Sequence, residues 1–283
     1  MEVTKVTSKP FDFTTFALMN LVEIIGALVI GLVLGLTGGG GSILAVPFLF
    51  YIVKVGSMNI ATSYSLFIVG ISSAIGSIQH LFKKNIEFKK GMLFAIPAMV
   101  MVFMTRKFII PVLPDPFINL DNFKVSLDIS LLILFAIIMV LAAISMIKGR
   151  EKIETDASDK PNINLIPQGV AVGTITGLVG AGGGFLIVPA LVLLAKIPMK
   201  RAVATELLII FIISTIGFTG DLFNANFPID WQLLFSLSGC SIVGIFIGTY
   251  LGKYAKDQSL KKIFGYFILI MGIGIILKEA LGY

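Results

Sequence analysis

The stretch GLTGGGGSILAVP, Gly35 to Pro47, returns in the same chain as GLVGAGGGFLIVP, Gly177 to Pro189. Extended to Leu49 and Leu191, the two align without a gap at an offset of 142, and nine of fifteen positions are identical. An echo at half-length in a chain of 283 residues marks a duplicated unit. Apolar runs flank both copies, so the glycines sit between hydrophobic segments rather than in a polar loop.

Composition sets the class. Apolar residues make up 57% and charged residues 13%, against about 25% charge in a soluble domain. Runs such as Leu131 to Met146 are continuously apolar instead of alternating, which favours membrane-crossing helices over barrel strands. The fold expected is an all-α polytopic membrane protein. About ten helical segments, some short or broken, form two inverted-topology repeats of five. Expected boundaries are an N-terminal tail over 1–13, a first repeat over 14–147, a cytoplasmic linker over 148–165 and a second repeat over 166–283. The cell membrane of a bacterium or archaeon, crossed many times, is the expected location.

Two segments next to the glycine runs are too short to cross alone. Ser42 to Val53 has twelve residues, roughly 18 Å of helix against a core of about 30 Å. Gly184 to Ala195 is its counterpart. Whether these segments cross or re-enter is open from sequence.

Basic residues give the orientation. The loops Lys83–Lys90, Lys148–Lys160, Lys196–Arg201 and Lys253–Lys262 hold 15 of the 22 lysines and arginines, which places them in the cytoplasm. Equivalent loops carry opposite bias. Lys83–Lys90 is basic where Asn224–Asp230 has no lysine, and Lys54–Asn59 has one basic residue where Lys196–Arg201 has three. Five crossings per half produce such a reversal, the mark of an inverted repeat.

The glycine runs admit two readings. Small residues let helices pack closely. Alternatively, each run breaks a helix, so that backbone N–H groups and positive dipole ends face one cavity and bind an anion. A nucleotide loop is excluded, since no Lys follows either run. The candidate substrate-binding residues are Gly38, Gly39, Gly40, Gly41 and Ser42 in the first half, with Thr62 and Ser63 beyond them. The second half supplies Gly180, Gly182, Gly183, Gly184 and Thr205. Thr62 and Thr205 open matched helices, where a bond back into the helix is the simpler role.

Intramembrane ionisable groups mark transport paths or their boundaries. Glu206 lies four residues into an apolar run beside Lys200 and Arg201, and Glu23 lies ten residues into its own. His80 and Asp221 occupy equivalent positions when Gly76 is aligned with Gly217. These four are the proton-coupling candidates. No H-E-x-x-H or H-x3–5-H pattern suggests a metal, no nucleophilic triad is organised, and no cofactor is implied. Cys240 reads as a small buried hydrophobe. The basic excess is explained by membrane orientation without a nucleic-acid partner.

The two motifs together resemble the TauE/SafE family of sulfite exporters and organosulfonate permeases. The resemblance rests on Gly35-Leu36-Thr37-Gly38-Gly39-Gly40-Gly41 with Pro47 and Ala61-Thr62-Ser63. Gly177-Leu178-Val179-Gly180-Ala181-Gly182-Gly183-Gly184 with Pro189 and Ala204-Thr205 repeats it, and the likeness covers about Ile24 to the C-terminus. It implies a secondary transporter of a small anion: sulfite, a related sulfur oxyanion or an organosulfonate. Transport would proceed by alternating access with protons as partners, inside a lipid bilayer, and the protein would not be an enzyme. An anion channel sharing the glycine site is one alternative, and a membrane-embedded enzyme or structural membrane protein is another. One departure stands out: the second half keeps a glycine-rich helix with Gly239, Gly244 and Gly248, where the first half has Pro97, Met99, Met101 and Met104. Oligomeric state is unread.

Overall fold

The computed structural model describes residues 21–113, 118–120, 123–125, 127–148, 165–179, 184–195, 197–222, 229–254 and 257–281. Ten α-helices appear among them. In the first half α1 is Leu21–Thr37, α2 is Gly40–Pro47, α3 is Met58–Phe82, α4 is Phe88–Met104 and α5 is Leu127–Lys148. In the second, α6 is Leu165–Val179, α7 is Gly184–Pro189, α8 is Met199–Leu222, α9 is Trp231–Gly252 and α10 is Asp257–Leu281. The protein is an all-α polytopic membrane protein, and four stretches are long and apolar enough to cross: Met58–Phe82, Phe88–Val112, Met199–Leu222 and Trp231–Gly252.

Each short segment is lengthened by a wider π-helical turn. α2 runs on through Phe48–Val53 and α7 through Ala190–Leu194, each beginning directly after the proline, Pro47 or Pro189. Proline has no N–H and crowds the preceding turn, so the regular helical ladder cannot continue through it unchanged. Lys54, with φ of 57°, ends the first of these turns. The loop after α4 contains a small antiparallel hairpin. Its strands β1 (Ile118–Leu120) and β2 (Phe123–Val125) pair Ile118 with Val125.

At Gly38 the chain turns back. Its φ of +78° is left-handed, which glycine adopts without steric cost. α2 then returns along α1: a Cβ on Gly26 would strike the Phe48 ring, and one on Gly41 would strike the Ile30 carbonyl and Leu34. The break is therefore a hairpin of two helices, not one interrupted rod.

The halves interlock. α1 packs on α9 and α6 on α4; α3 packs on α9 and α8 on α4; α3 also packs on α8, α5 on α10 and α2 on α7. Exchanging the halves element for element reproduces this list. Small residues make the approach possible. A Cβ on Gly35 would lie 2.6 Å from the Ile245 carbonyl, and Gly244 and Gly248 face the Leu28 and Leu32 carbonyls. In the matching contact, Gly169 faces the Phe94 carbonyl and Gly173 faces Ala98. Glycine thus lies on both sides of the α1/α9 seam but on one side of the α4/α6 seam, where Ala98 stands opposite. The sequence difference between the fourth helices has this structural meaning.

α3 and α8 form the centre, with Ser63, Ser65, Ser72, Ser73, Thr205, Glu206, Ser214 and Asp221 buried on them. Large apolar side chains such as Val29, Val100, Phe246 and Ile270 point outward. That inversion suits a protein whose surroundings are lipid. One end of the bundle gathers three of the basic loops: Lys200 Nζ donates to the Lys253 carbonyl at 3.3 Å, and Arg201 pairs with Glu87 at 2.7 Å. Near the opposite end Phe67, Phe218, Trp231 and Phe235 form an aromatic cluster, of the kind found at membrane interfaces.

Candidate functional site

The two glycine runs meet in space. A Cβ on Gly184 would lie 2.5 Å from Gly39 Cα and 3.0 Å from Ser42 Oγ, and a Cβ on Gly39 would enter the Gly184 backbone. Backbone contact this close is open only to glycine. The N-termini of α2 and α7 therefore abut, although they are separated by more than half the chain.

Glu206 completes this junction. It sits about two turns into α8 (roughly 10 Å from Met199) and is fully buried. Gly39 N–H donates to its Oε2 at 2.8 Å. Side chains on Gly38 or Gly39 would both collide with its carboxyl oxygens. No ion pair to Glu206 exists among the described residues. Its Oε1 has no hydrogen-bond partner there, and the Val188 backbone is the remaining polar group beside the carboxyl. Lys200 and Arg201, its neighbours in sequence, turn away toward Lys253 and Glu87. Of the two readings, path and boundary, the burial of Glu206 disfavours the boundary, because seven residues of helix carry it into the interior away from those cations.

Ser42 is buried at the same junction, but its hydroxyl donates to the Gly39 carbonyl at 2.6 Å; Gly39 is the N-cap, and no side chain caps α2. Thr62 and Thr205 do not reach the glycines with their hydroxyls. Thr62 Oγ1 donates back to the Asn59 carbonyl at 2.9 Å, and Thr205 Oγ1 accepts from Glu87 N–H at 2.9 Å. Thr62 satisfies a group of its own helix start, whereas Thr205 serves the N-cap of α4, 118 positions away, so the bond back into its own helix expected for it is replaced by a contact between the halves. Gly40 and Gly41 are buried in the first turn of α2. Gly180, Gly182 and Gly183 lie outside the described residues.

A cavity of about 180 Å³ lies at the basic end of the bundle. Gly35, His80, Lys83, Lys200, Thr249 and Lys253 line it together with Val203, and Val203 Cα is 3.4 Å from where a Gly38 Cβ would be. Both His80 ring nitrogens are buried without a partner among the described residues. Lys83, at the end of α3, is held below the ordinary lysine range by burial first and then by the charge of Lys253. The charged residues lining the cavity, Lys83, Lys200 and Lys253, are all cationic, and Gly35 and Leu36 of α1 form part of its wall just before the glycine turn.

Asp221 and Ser63 belong to a second cluster. Asp221 is one residue from the end of α8, 15 positions beyond Glu206, or roughly 22 Å along the helix. Ser63 donates to Asp221 Oδ2, and Arg106 Nη1 pairs with Asp221 at 3.1 Å. Arg106 is the residue that sequence reading missed. It is only 1% exposed. A single arginine inside the run from Met92 to Ile110 was the available signal. Glu23 lies elsewhere, 15 residues before Gly38 on α1, also roughly 22 Å away.

A glycine-turned helical hairpin, a central helix pair with buried polar groups, and a lipid-suited exterior define a multi-pass membrane transporter. The family model for the sulfite exporter TauE/SafE matches residues 23–275, and the chain belongs to that family. A probable membrane transporter protein of Xylella fastidiosa (strain 9a5c) is 29% identical over 88% of this chain and 92% of its own length. The probable membrane transporter protein YunE of Bacillus subtilis is 25% identical over 90% and 97%. One from Methanocaldococcus jannaschii is 31% identical over 68% of each chain. No solved structure matches.

Proposed function

We propose that this transporter carries sulfite, a related sulfur oxyanion or an organosulfonate by alternating access, coupled to protons, with the anion held where the two glycine breaks meet. The observation that carries the reading is the seat of Glu206. Its carboxylate is itself an oxyanion, and it rests on the Gly39 amide at the start of α2. A helix N-terminus supplies the N–H donors and dipole that favour such a group. Protonation of Glu206 removes the competing negative charge and frees that amide for a substrate. Proton and anion then travel together.

The other candidates fit this less well. Asp221 is already paired with Arg106, and Glu23 is four turns of α1 from the break. His80 fits an approach from the basic end, since it lines the cavity there together with Lys83, Lys200 and Lys253. The inverted relation of the two halves, 14–147 and 166–283, is supported by the reciprocal packing list and by the basic loops collected at one end. Two interlocked halves related in this way supply the moving parts for alternating access.

The test is transport in liposomes of purified protein. Sulfite or a small sulfonate should accumulate in response to an imposed pH gradient, with saturation. Absence of flux across a panel of sulfur anions would remove the substrate class, and fast non-saturating flux would make the protein a channel. Loss of gradient-driven accumulation, with exchange retained, is expected for Glu206→Gln.

A further inference from the structure

Burying an arginine is costly unless each charged N–H finds an acceptor. Arg106 meets this condition only in part. Nη1 serves Asp221 at 3.1 Å and Ser63 at 3.4 Å. Nε and Nη2 are both buried with no hydrogen-bond partner among the described residues. These two nitrogens are not scattered. The Nε–H and one Nη2–H of a guanidinium point in the same direction and form its side-on edge, the fork that takes two oxygens of a carboxylate, phosphate or sulfonate at once.

The surroundings are built to bring that edge inside. A Cβ on Gly220 would lie 3.3 Å from Arg106 Cβ, so α8 leaves room for the arginine stem. Thr105, the preceding residue, packs against Gly177, where a Cβ would lie 2.5 Å from Thr105 Cβ. Its hydroxyl and that of Thr176 are also buried without partners among the described residues. Gly177 opens the second glycine run. The unsatisfied donors thus collect against the C-terminal turn of α6, away from the Gly39–Gly184 junction that carries Glu206. The regular α4 helix gives way to a π-helical turn at Thr105–Ile109 in the same place, a departure frequent at functional sites.

We infer that Arg106 is an anion-binding residue of the transport path, taking a tetrahedral or pyramidal oxyanion on its Nε–Nη2 edge at a site distinct from the Glu206 junction. The inference rests on the reading that the cargo is an oxyanion. It assigns Asp221 a defined part: the carboxylate orients the guanidinium through Nη1 and competes electrostatically with the incoming anion. Two sites roughly 22 Å apart along α8, one near each end, are what an anion meets in sequence on crossing.

The experiment measures the oxyanion-induced rise in melting temperature of the purified full chain, titrated with sulfite, sulfate, phosphate and a small organosulfonate. Arg106→Lys keeps the charge for Asp221 but lacks the fork, and should weaken apparent affinity about tenfold or more. Arg106→Gln with Asp221→Asn removes the ion pair whole, so that no charge is left buried alone, and should abolish the response in a folded protein. Asp221→Asn alone should tighten anion binding, whereas a purely structural ion pair predicts no gain. Unchanged titrations in Arg106→Lys and the double variant would overturn the inference and leave the sulfur-anion reading standing. A response to phosphate only, lost in Arg106→Lys, would keep the inference and remove the sulfur class. No response of the wild type to any of these oxyanions would overturn both.

Discussion

Gly39 N–H donates to Glu206 Oε2 at 2.8 Å across 167 positions of sequence. The bond joins the turn between α1 and α2 to the interior of α8, and it places a carboxylate where a transported anion would sit. Gly38 and Gly39 both make room for it, so the carboxylate and the glycines are one feature built from two halves of the chain.

Gly39→Ala should be the most damaging small change at the junction. The added methyl enters the Gly184 backbone, which cannot rotate away as a flexible side chain can. Overpacking of this kind costs about 1–3 kcal/mol. A lower melting temperature in detergent and loss of transport at equal expression are expected.

Gly38→Ala should be partly rescued by Glu206→Ala. The methyl on Gly38 meets Glu206 Oε2, and the φ of +78° adds a separate left-handed penalty. Removing the carboxylate relieves the first cost and not the second, about 1–2 kcal/mol. A double-mutant cycle on melting should therefore show positive coupling with incomplete recovery.

Two glycines on one helix should respond differently. Gly248→Leu pushes into the Leu32 carbonyl and Gly35 Cα, and it should separate α1 from α9. Gly252→Ala meets nothing nearer than 3.7 Å and should melt close to wild type. Equal effects on thermal unfolding would contradict the packing described.

The two ion pairs should differ in the same assay. Arg201 and Glu87 are 2.7 Å apart but exposed, with side chains 56% and 32% accessible. Arg201→Gln is expected to cost about 0–1 kcal/mol, less in high salt. Arg106→Gln leaves Asp221 buried without its partner and should cost about 3–5 kcal/mol, with recovery when Asp221→Asn is added.

Glu206→Gln should fold and keep a polar group at the Gly39 amide, but it cannot release a proton. Sulfur-anion uptake should then become independent of an imposed pH gradient. Gradient dependence equal to wild type would move the coupling to another residue.

Much of the fold was legible because a membrane imposes simple rules. Apolar runs had to become helices, and the glycine echo with reversed loop charges divided the chain in two. The cytoplasmic grouping of Lys83, Lys200 and Lys253 is matched by their convergence around one cavity. The hydroxyls of Thr62 and Thr205 were less legible. Thr62 takes a local backbone partner at its helix start, whereas Thr205 takes the Glu87 N–H of the other half, a partner no local reading supplies.

The sequence by itself determined an all-helical membrane protein that repeats one glycine-rich motif, with Glu206 among its intramembrane ionisable residues. Periodicity, charge and repeats are local quantities, and each can be read along the chain. Only the tertiary structure decided that the chain reverses at Gly38, that Gly39 touches Gly184, and that Glu206 faces the first break while Arg106 joins Asp221 and Ser63. Apart from the reversal, these are contacts between segments more than 40 residues apart. They follow from which helix faces oppose each other in the interlocked bundle, a relation that no stretch of sequence contains.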